Sequence, residues 1–406
     1  MSHTSGSRPS KAAEASSDSV SRDAPRVPTD KQQSEAATEA ADIIDFTRYP
    51  EARGEDVKER PHPADESTES SESHIGQDDL LNMMRRTVDR LEKDGTTRGD
   101  LKILSRTMRE LRYAFKVFQP YRRCRKVTVF GSARTMPEQA TYQQAVAFGR
   151  AMARHKWMVI TGAGGGIMEA GHRGAGRELS MGLNIMLPFE QSANPFIEGD
   201  PKLVTLKYFF TRKLMFVKEC SAVVSLPGGF GTLDETAELL TLLQTGKQTM
   251  LPVVLLDEPG GDFWQQFGKF VDNTLLRDGM INPEDRSLYM ITDSVEAAVE
   301  EVLEFYRVYH SMRYVGEHLV LRICQSLSDE VMAGLNDRFA DILASGVIEQ
   351  VAALPAEANE PDLADLPRIR MHFDRKHLAR LRQLIDVINA TCPTCEVEAT
   401  SSVRSE

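Results

Sequence analysis

Nine consecutive residues, Pro227-Gly228-Gly229-Phe230-Gly231-Thr232-Leu233-Asp234-Glu235, follow the apolar run 222–226, and the glycine-rich stretch Gly162-Ala163-Gly164-Gly165-Gly166 follows a second such run at 157–161. Glycines where a strand turns into a helix let backbone N–H groups face an anion, and the helix N-terminus behind them adds roughly half a positive charge. A phosphate group suits such turns. Neither stretch ends in Gly-Lys-Ser/Thr and neither reads G-x-G-x-x-G, which sets aside the common nucleoside-triphosphate and dinucleotide loops. A third turn of unusual make-up, Gly131-Ser132-Ala133-Arg134, follows 127–130. Charge comes from Glu235, one turn into its helix, and from Arg212 and Lys213 in the helix expected at 208–219. An arginine beside an anion loop clamps phosphate or ribose, and a carboxylate near a helix N-terminus is kept ionised and able to steer water.

These residues need a frame, and the hydrophobic pattern supplies one. Short apolar runs at 127–130, 157–161, 183–187, 203–206, 222–226, 252–256 and 288–292 alternate with amphipathic stretches at 138–155, 167–178, 208–219, 232–245, 262–277 and 294–310. Strand followed by helix, repeated, predicts an α/β fold: a Rossmann-like, doubly wound, mostly parallel sheet with helices on both faces. Ligands of such sheets bind at the carboxyl ends of the strands, where all three turns lie.

The flanks differ in character. Residues 1–75 hold nine Lys/Arg against sixteen Asp/Glu and only nine Val, Ile, Leu, Met, Phe, Trp or Tyr, so they are expected to form a disordered acidic tail. Its apolar cluster, Ile43-Ile44-Asp45-Phe46-Thr47-Arg48-Tyr49, reads as a chance feature of that tail, with docking on a partner or on the body as the alternative. Helical periodicity begins at Gln77, with Leu80, Leu81, Met84, Val88 and Leu91 on one face and Leu101, Leu104, Met108, Leu111 and Phe115 on another; two helices within 76–119 are predicted. The catalytic domain is expected at 120–314. Beyond it, a strand at 319–324, a helix at 328–345, strands at 347–351 and 368–373 and a helix at 375–389 predict a small C-terminal α+β domain over 315–391, with a flexible tail at 392–406.

Composition excludes several classes. Of 406 residues, 41% are hydrophobic and 27% charged, and no run reaches the ~18 apolar residues of a membrane span. The formal charge of −11 sits mostly in the acidic tail, leaving a nearly neutral body with one basic run, Arg122-Arg123-Cys124-Arg125-Lys126, expected at a solvated edge or subunit contact rather than on nucleic acid. Five scattered cysteines and no apolar leader point to a cytoplasmic protein without a disulfide framework. The pair Cys392 and Cys395 lacks the second ligand pair of a zinc site, so no metal is expected.

The motifs resemble those of the LOG (LONELY GUY) family of nucleoside 5′-monophosphate phosphoribohydrolases, often mislabelled lysine decarboxylases. The resemblance rests on Gly164-Gly165-Gly166-Ile167-Met168-Glu169, on Phe210-Thr211-Arg212-Lys213 and on the PGGxGTxxE element from Pro227 to Glu235, and spans roughly 120–310. It implies that Arg212 and Glu235 are catalytic. It further implies that Gly131, Ser132, Gly164, Gly165, Gly166, Met168, Lys213, Pro227, Gly228, Gly229, Phe230, Gly231, Thr232 and Thr241 bind the nucleotide. The implied reaction is hydrolysis of the N-glycosidic bond of a purine or cytokinin riboside 5′-monophosphate by a homo-oligomer, a dimer or larger, without a cofactor. A non-catalytic nucleotide sensor is the alternative, disfavoured because a sensor needs the loops but not the Arg212 and Glu235 pair. Pyridoxal-dependent decarboxylation would require a Schiff-base lysine in an acidic setting, which no lysine of the sequence offers.

Overall fold

The computed structural model describes residues 76–187 and 192–391. The acidic segment 1–75, with its cluster at 43–49, and the pair Cys392 and Cys395 lie outside the described residues. Two amphipathic helices, α1 (Gln77–Lys93) and α2 (Arg98–Phe118), come first, as the periodicity predicts. Thr97 starts α2 by accepting the Asp100 N–H on its side chain.

The centre is a seven-stranded sheet built from β1 (Lys126–Phe130), β2 (Met158–Thr161), β3 (Ser180–Ile185), β4 (Leu203–Leu206), β5 (Ala222–Ser225), β6 (Val253–Leu256) and β7 (Met290–Thr292). Every pairing in it is parallel, and the strand order is β4-β3-β2-β1-β5-β6-β7. Its helices are α3 (Ala140–Arg154), α4 (Ile167–Ala175), α5 (Phe209–Glu219), α6 (Phe230–Gln244), α7 (Phe263–Phe270) and α8 (Val295–Glu304). Val127, Val129, Val159 and Val224 face α3, α4 and α8 through Phe148, Met152, Ile167 and Ala298. Phe130, Ile160, Val223 and Leu255 face the other way, toward Phe118, Met215, Phe216, Leu239 and Trp264. Burial on both faces is why these strands read as continuous apolar runs rather than alternating ones.

A second sheet is antiparallel, with β8 (Tyr309–Val315), β9 (His318–Ile323), β10 (Leu343–Val351) and β11 (Arg368–Phe373) in the order β10-β11-β9-β8, accompanied by α9 (Asp329–Arg338) and α10 (Leu378–Ala390). Here the sequence reading differs from the structure in two places. The helix expected at 294–310 stops at Glu304, and 309–315 forms an unforeseen strand. Asn389 of α10 explains the break: its Oδ1 accepts the Val308 and Tyr309 N–H groups at 3.0 and 2.9 Å and its Nδ2 donates to the Phe305 carbonyl at 2.7 Å. Val295, Ala298, Val302, Phe305 and Tyr309 keep a helical spacing and are all buried, so local pattern alone continues the helix. Likewise the helix expected at 328–345 ends at Arg338, and β10 begins at Leu343 on pairing with Phe373.

The basic run is engaged within the molecule. Arg123 pairs with Asp362, the Arg125 guanidinium lies 3.7 Å above the Tyr306 ring and donates to the His310 carbonyl, and buried Lys126 lies 3.7 Å from Glu219.

Candidate active site

Strand order decides where the turns meet. β2, β1 and β5 are neighbours, and the chain crosses from one side of β1 to the other between β4 and β5, so a crevice opens at the carboxyl ends of β1 and β5. All three predicted turns converge there. The Ser132 N–H donates to the Pro227 carbonyl at 3.1 Å and the Ser132 carbonyl accepts the Ile167 N–H at 2.9 Å. Close approach demands glycine at two positions. Gly166 has φ +63° and a Cβ there would lie 2.3 Å from the Ser132 carbonyl oxygen; a Cβ on Gly228 would lie 2.9 Å from the Ser132 nitrogen. Gly229 and Gly231 instead border open space, and between them Phe230 is 92% exposed. Thr232 is buried under this turn.

The two helices that follow the crossover supply the charge. Arg212, in the first turn of α5, reaches toward Glu235 of α6 with 3.7 Å between Nη2 and Oε1. That distance is an ion pair without a hydrogen bond, and the buried Arg212 Nε has no hydrogen-bond partner among the described residues. A Cβ on Gly162 would lie 2.7 Å from the Met168 sulfur and 3.6 Å from Arg212 Nη1, so the β2 turn, α4 and α5 meet beside this guanidinium.

Glu235 is not the freely ionised carboxylate that its place near a helix N-terminus suggests. Only 7% exposed, it is pushed up to about 7 by burial, with Glu238 and Asp234 adding to the rise and Arg212 and Lys213 opposing it. Burial likewise lowers the Arg212 value, against Glu235 and Asp234. Lys213 binds Asp234 at 2.8 Å and Glu238 at 2.9 Å, fastening α5 to α6; these bonds raise its value although burial lowers it. Thr241 lies six residues beyond Glu235 on α6, exposed, its hydroxyl turned back to the Ala237 carbonyl at 2.9 Å. Within one chain it is not gathered with the loops.

The sequence reading missed the layer beneath the glycine turn. The Asn194 N–H donates to the Ala163 carbonyl at 2.8 Å and its Nδ2 to the Gly164 carbonyl at 3.0 Å, while Thr161 Oγ1 accepts the Ala163 N–H at 3.0 Å. Buried His172 completes this layer: Nε2 donates to the Met181 carbonyl at 3.0 Å and Nδ1 accepts from Asn194 Nδ2 at 3.2 Å. Burial pushes the imidazole down to about 4, so it is neutral and fixed in one tautomer. With its carbonyls turned into this network, the turn is held in one shape, Ala163 at φ +61° included. No motif marks these residues, because Asn194 and His172 are far from each other and from Thr161 in sequence.

Comparison with known proteins bears on this arrangement. Residues 163–302 match the family model described as "Possible lysine decarboxylase". The cytokinin riboside 5′-monophosphate phosphoribohydrolase of Rhodococcoides fascians is 29% identical over 185 residues, covering 44% of this chain and 89% of that protein. A probable phosphoribohydrolase of the same kind from Oryza sativa, LOGL2, is 26% identical over 188 residues, covering 45% of this chain and 74% of that one. Over its middle this chain is similar to LOG-family proteins. Among solved structures, the molybdenum cofactor binding protein of Rippkaea orientalis aligns over 44% of this chain and 94% of its own, at 22% identity and a TM-score of 0.31. The residues matched by the family model lie within a longer polypeptide, with helices α1 and α2 before them and the antiparallel sheet after them. The decarboxylase description does not suit its residues. Pyridoxal chemistry needs a lysine amine free to form a Schiff base, and Lys213, the lysine of this crevice, is a protonated ammonium held by two carboxylates.

Proposed function

We propose that this protein hydrolyses the N-glycosidic bond of a nucleoside 5′-monophosphate, a purine nucleotide such as AMP or a cytokinin riboside monophosphate, to the free base and ribose 5-phosphate. The observation that carries the reading is the pairing of half-buried Arg212 with buried Glu235, 3.7 Å apart, beside glycine turns of which Gly229 and Gly231 border open space. In this reading Gly131, Ser132, Gly164–Gly166 and Gly228–Thr232 surround the 5′-phosphate together with the first turns of α4 and α6. Binding energy from that remote group holds C1′ for attack. Phe230, exposed at the edge, offers a ring face to the base.

The bond from C1′ to the base nitrogen breaks with positive charge building on the sugar. Ionised Glu235 stabilises that charge and takes a proton from the attacking water, whose oxygen becomes the C1′ hydroxyl. The bond electrons leave with the base, which takes up one proton. A carboxyl near 7 changes protonation state at little cost around neutral pH, which suits it to this work. Arg212 answers the charge of the ribose phosphate and keeps Glu235 from rising further. Purified protein incubated with AMP, GMP, CMP, UMP and isopentenyl-AMP is expected to release free base from at least one purine substrate, followed by chromatography. Tight nucleotide binding with no base released from any of them would leave the sensor reading in its place.

A further inference from the structure

The family match begins at residue 163, yet a residue of α2, far ahead of it, reaches the helix that carries Arg212. The buried residues of α2 are Glu110, Ala114 and Phe118, one stripe at i, i+4 and i+8. Two of these are apolar packing residues. The third is a carboxylate only 6% exposed, an arrangement that costs stability unless its oxygens are answered. They are answered at the start of α5. Glu110 Oε1 accepts the Lys207 N–H at 2.8 Å and the Arg106 Nε–H at 2.7 Å, and Oε2 accepts the Thr211 hydroxyl at 2.9 Å.

Helix α5 has no side-chain cap of its own, since its N-cap residue is Tyr208. Glu110 instead ties this end down from another helix: it binds the Lys207 N–H just ahead of the helix and the Thr211 hydroxyl in its first turn, and places a negative charge at the positive end of the helix dipole. Thr211 immediately precedes Arg212, and the same hydroxyl also lies 2.8 Å from the Tyr208 carbonyl. Phe115, one turn on from Glu110, lies 5.0 Å from the Lys218 ammonium at the far end of α5, so α2 tracks the helix along its length.

We propose that Glu110 is a positioning residue for the candidate active site, holding the first turn of α5 so that Arg212 faces Glu235, and that α2 is thereby part of the catalytic unit. The kinetic consequences rest on the phosphoribohydrolase reading; the structural one does not. Glu235 is faced by Arg212 and Lys213 from α5 and by Asp234 and Glu238 on its own helix. Displacing Arg212 removes an opposing charge, so Glu235 must then lose its proton at higher pH.

The test uses the full chain with Glu110→Ala, Glu110→Gln, Thr211→Val and Thr211→Ser. Glu110→Ala is expected to lower kcat at least about tenfold with KM changed less than about threefold, and to move the acid limb of kcat/KM upward by at least about 0.5 pH unit. Thr211→Val should move the same limb in the same direction, and Thr211→Ser, which keeps the hydroxyl, should restore it. Amide exchange across 207–213 should quicken at least about tenfold in Glu110→Ala while the strands of the central sheet stay protected. A folded Glu110→Ala protein with an unmoved acid limb and unchanged exchange across 207–213 overturns the proposal; a lowered melting temperature alone does not support it. If Glu110→Ala fails to fold, Glu110→Gln and Thr211→Val decide by the same criteria. If the wild-type protein releases no base, the phosphoribohydrolase reading falls while the exchange measurement still decides the role of Glu110.

Discussion

Replacing Glu235 by glutamine should stabilise this protein at high pH while ending catalysis. Burial raises the carboxyl from 4.5 to about 7, so between those values the unfolded chain ionises and the folded chain resists. The stability linked to this group is complete below pH 4.5 and is lost as pH rises through about 7. At 1.36 kcal/mol per unit of pH the full loss is about 3 kcal/mol, and most of it, about 2.5 kcal/mol, falls between pH 5 and pH 8. Glutamine keeps the shape of the protonated acid and cannot ionise. The stability of the variant relative to the wild type should therefore rise by about 2–3 kcal/mol from pH 5 to pH 8. Urea unfolding of both proteins at several pH values measures it, and taking the difference cancels every other titrating group. In parallel, base release by the variant should vanish while nucleotide binding stays within about tenfold, because the charge that answers the developing cation is gone and the phosphate loops are intact. A stability difference that is flat with pH, or one that moves in the opposite direction, refutes the buried-acid argument. Unchanged turnover refutes the catalytic one.

Four other outcomes follow from the geometry. Gly166→Ala forces a Cβ to within 2.3 Å of the Ser132 carbonyl oxygen at φ +63°, so it should cost at least about 2 kcal/mol in denaturant unfolding and abolish nucleotide binding by calorimetry. Asn194→Ala leaves the Gly164 carbonyl and His172 Nδ1 without their donor and should lower stability by about 1–3 kcal/mol, with kcat/KM reduced at least about tenfold. Adenosine should be cleaved at least about 100-fold less efficiently than AMP by kcat/KM, and Arg212→Ala should reduce the AMP rate more than any residual adenosine rate; equal losses would remove Arg212 from the phosphate. The exposed Leu81, Met84 and Val88 of α1 and Leu101, Leu104 and Met108 of α2 should be covered by a second copy, and light scattering at micromolar concentration should give at least a dimer mass, a monomer refuting it.

The alternation of apolar runs and amphipathic stretches was enough to predict the parallel sheet, because strands buried on both faces and helices buried on one leave different periodicities in the chain. That the glycine turns meet at the strand ends was legible for a related reason: close backbone approach, as at Gly166 and Gly228, needs a residue type that few other positions need. Local pattern failed where a distant side chain ended an element, as Asn389 does by taking the N–H groups of Val308 and Tyr309. It also gave the wrong protonation behaviour for Glu235. Near a helix N-terminus a carboxyl reads as ionised, and only its enclosure by neighbours from other elements raises it to about 7.

Glu110 shows the same division most clearly. In sequence nothing singles it out; it stands four residues beyond Arg106, with which it pairs. That it is buried, and that its oxygens meet Lys207 and Thr211 about a hundred residues later, follows from how α2 lies on α5. The sequence by itself determined the alternation of strand and helix in the central sheet and which residue types crowd the strand ends, since both are written in local spacing. Tertiary structure alone decided which of those residues face each other, how deeply each charge is buried and what fills the second layer, because desolvation and hydrogen bonding between distant segments depend on the packed arrangement and leave no local trace.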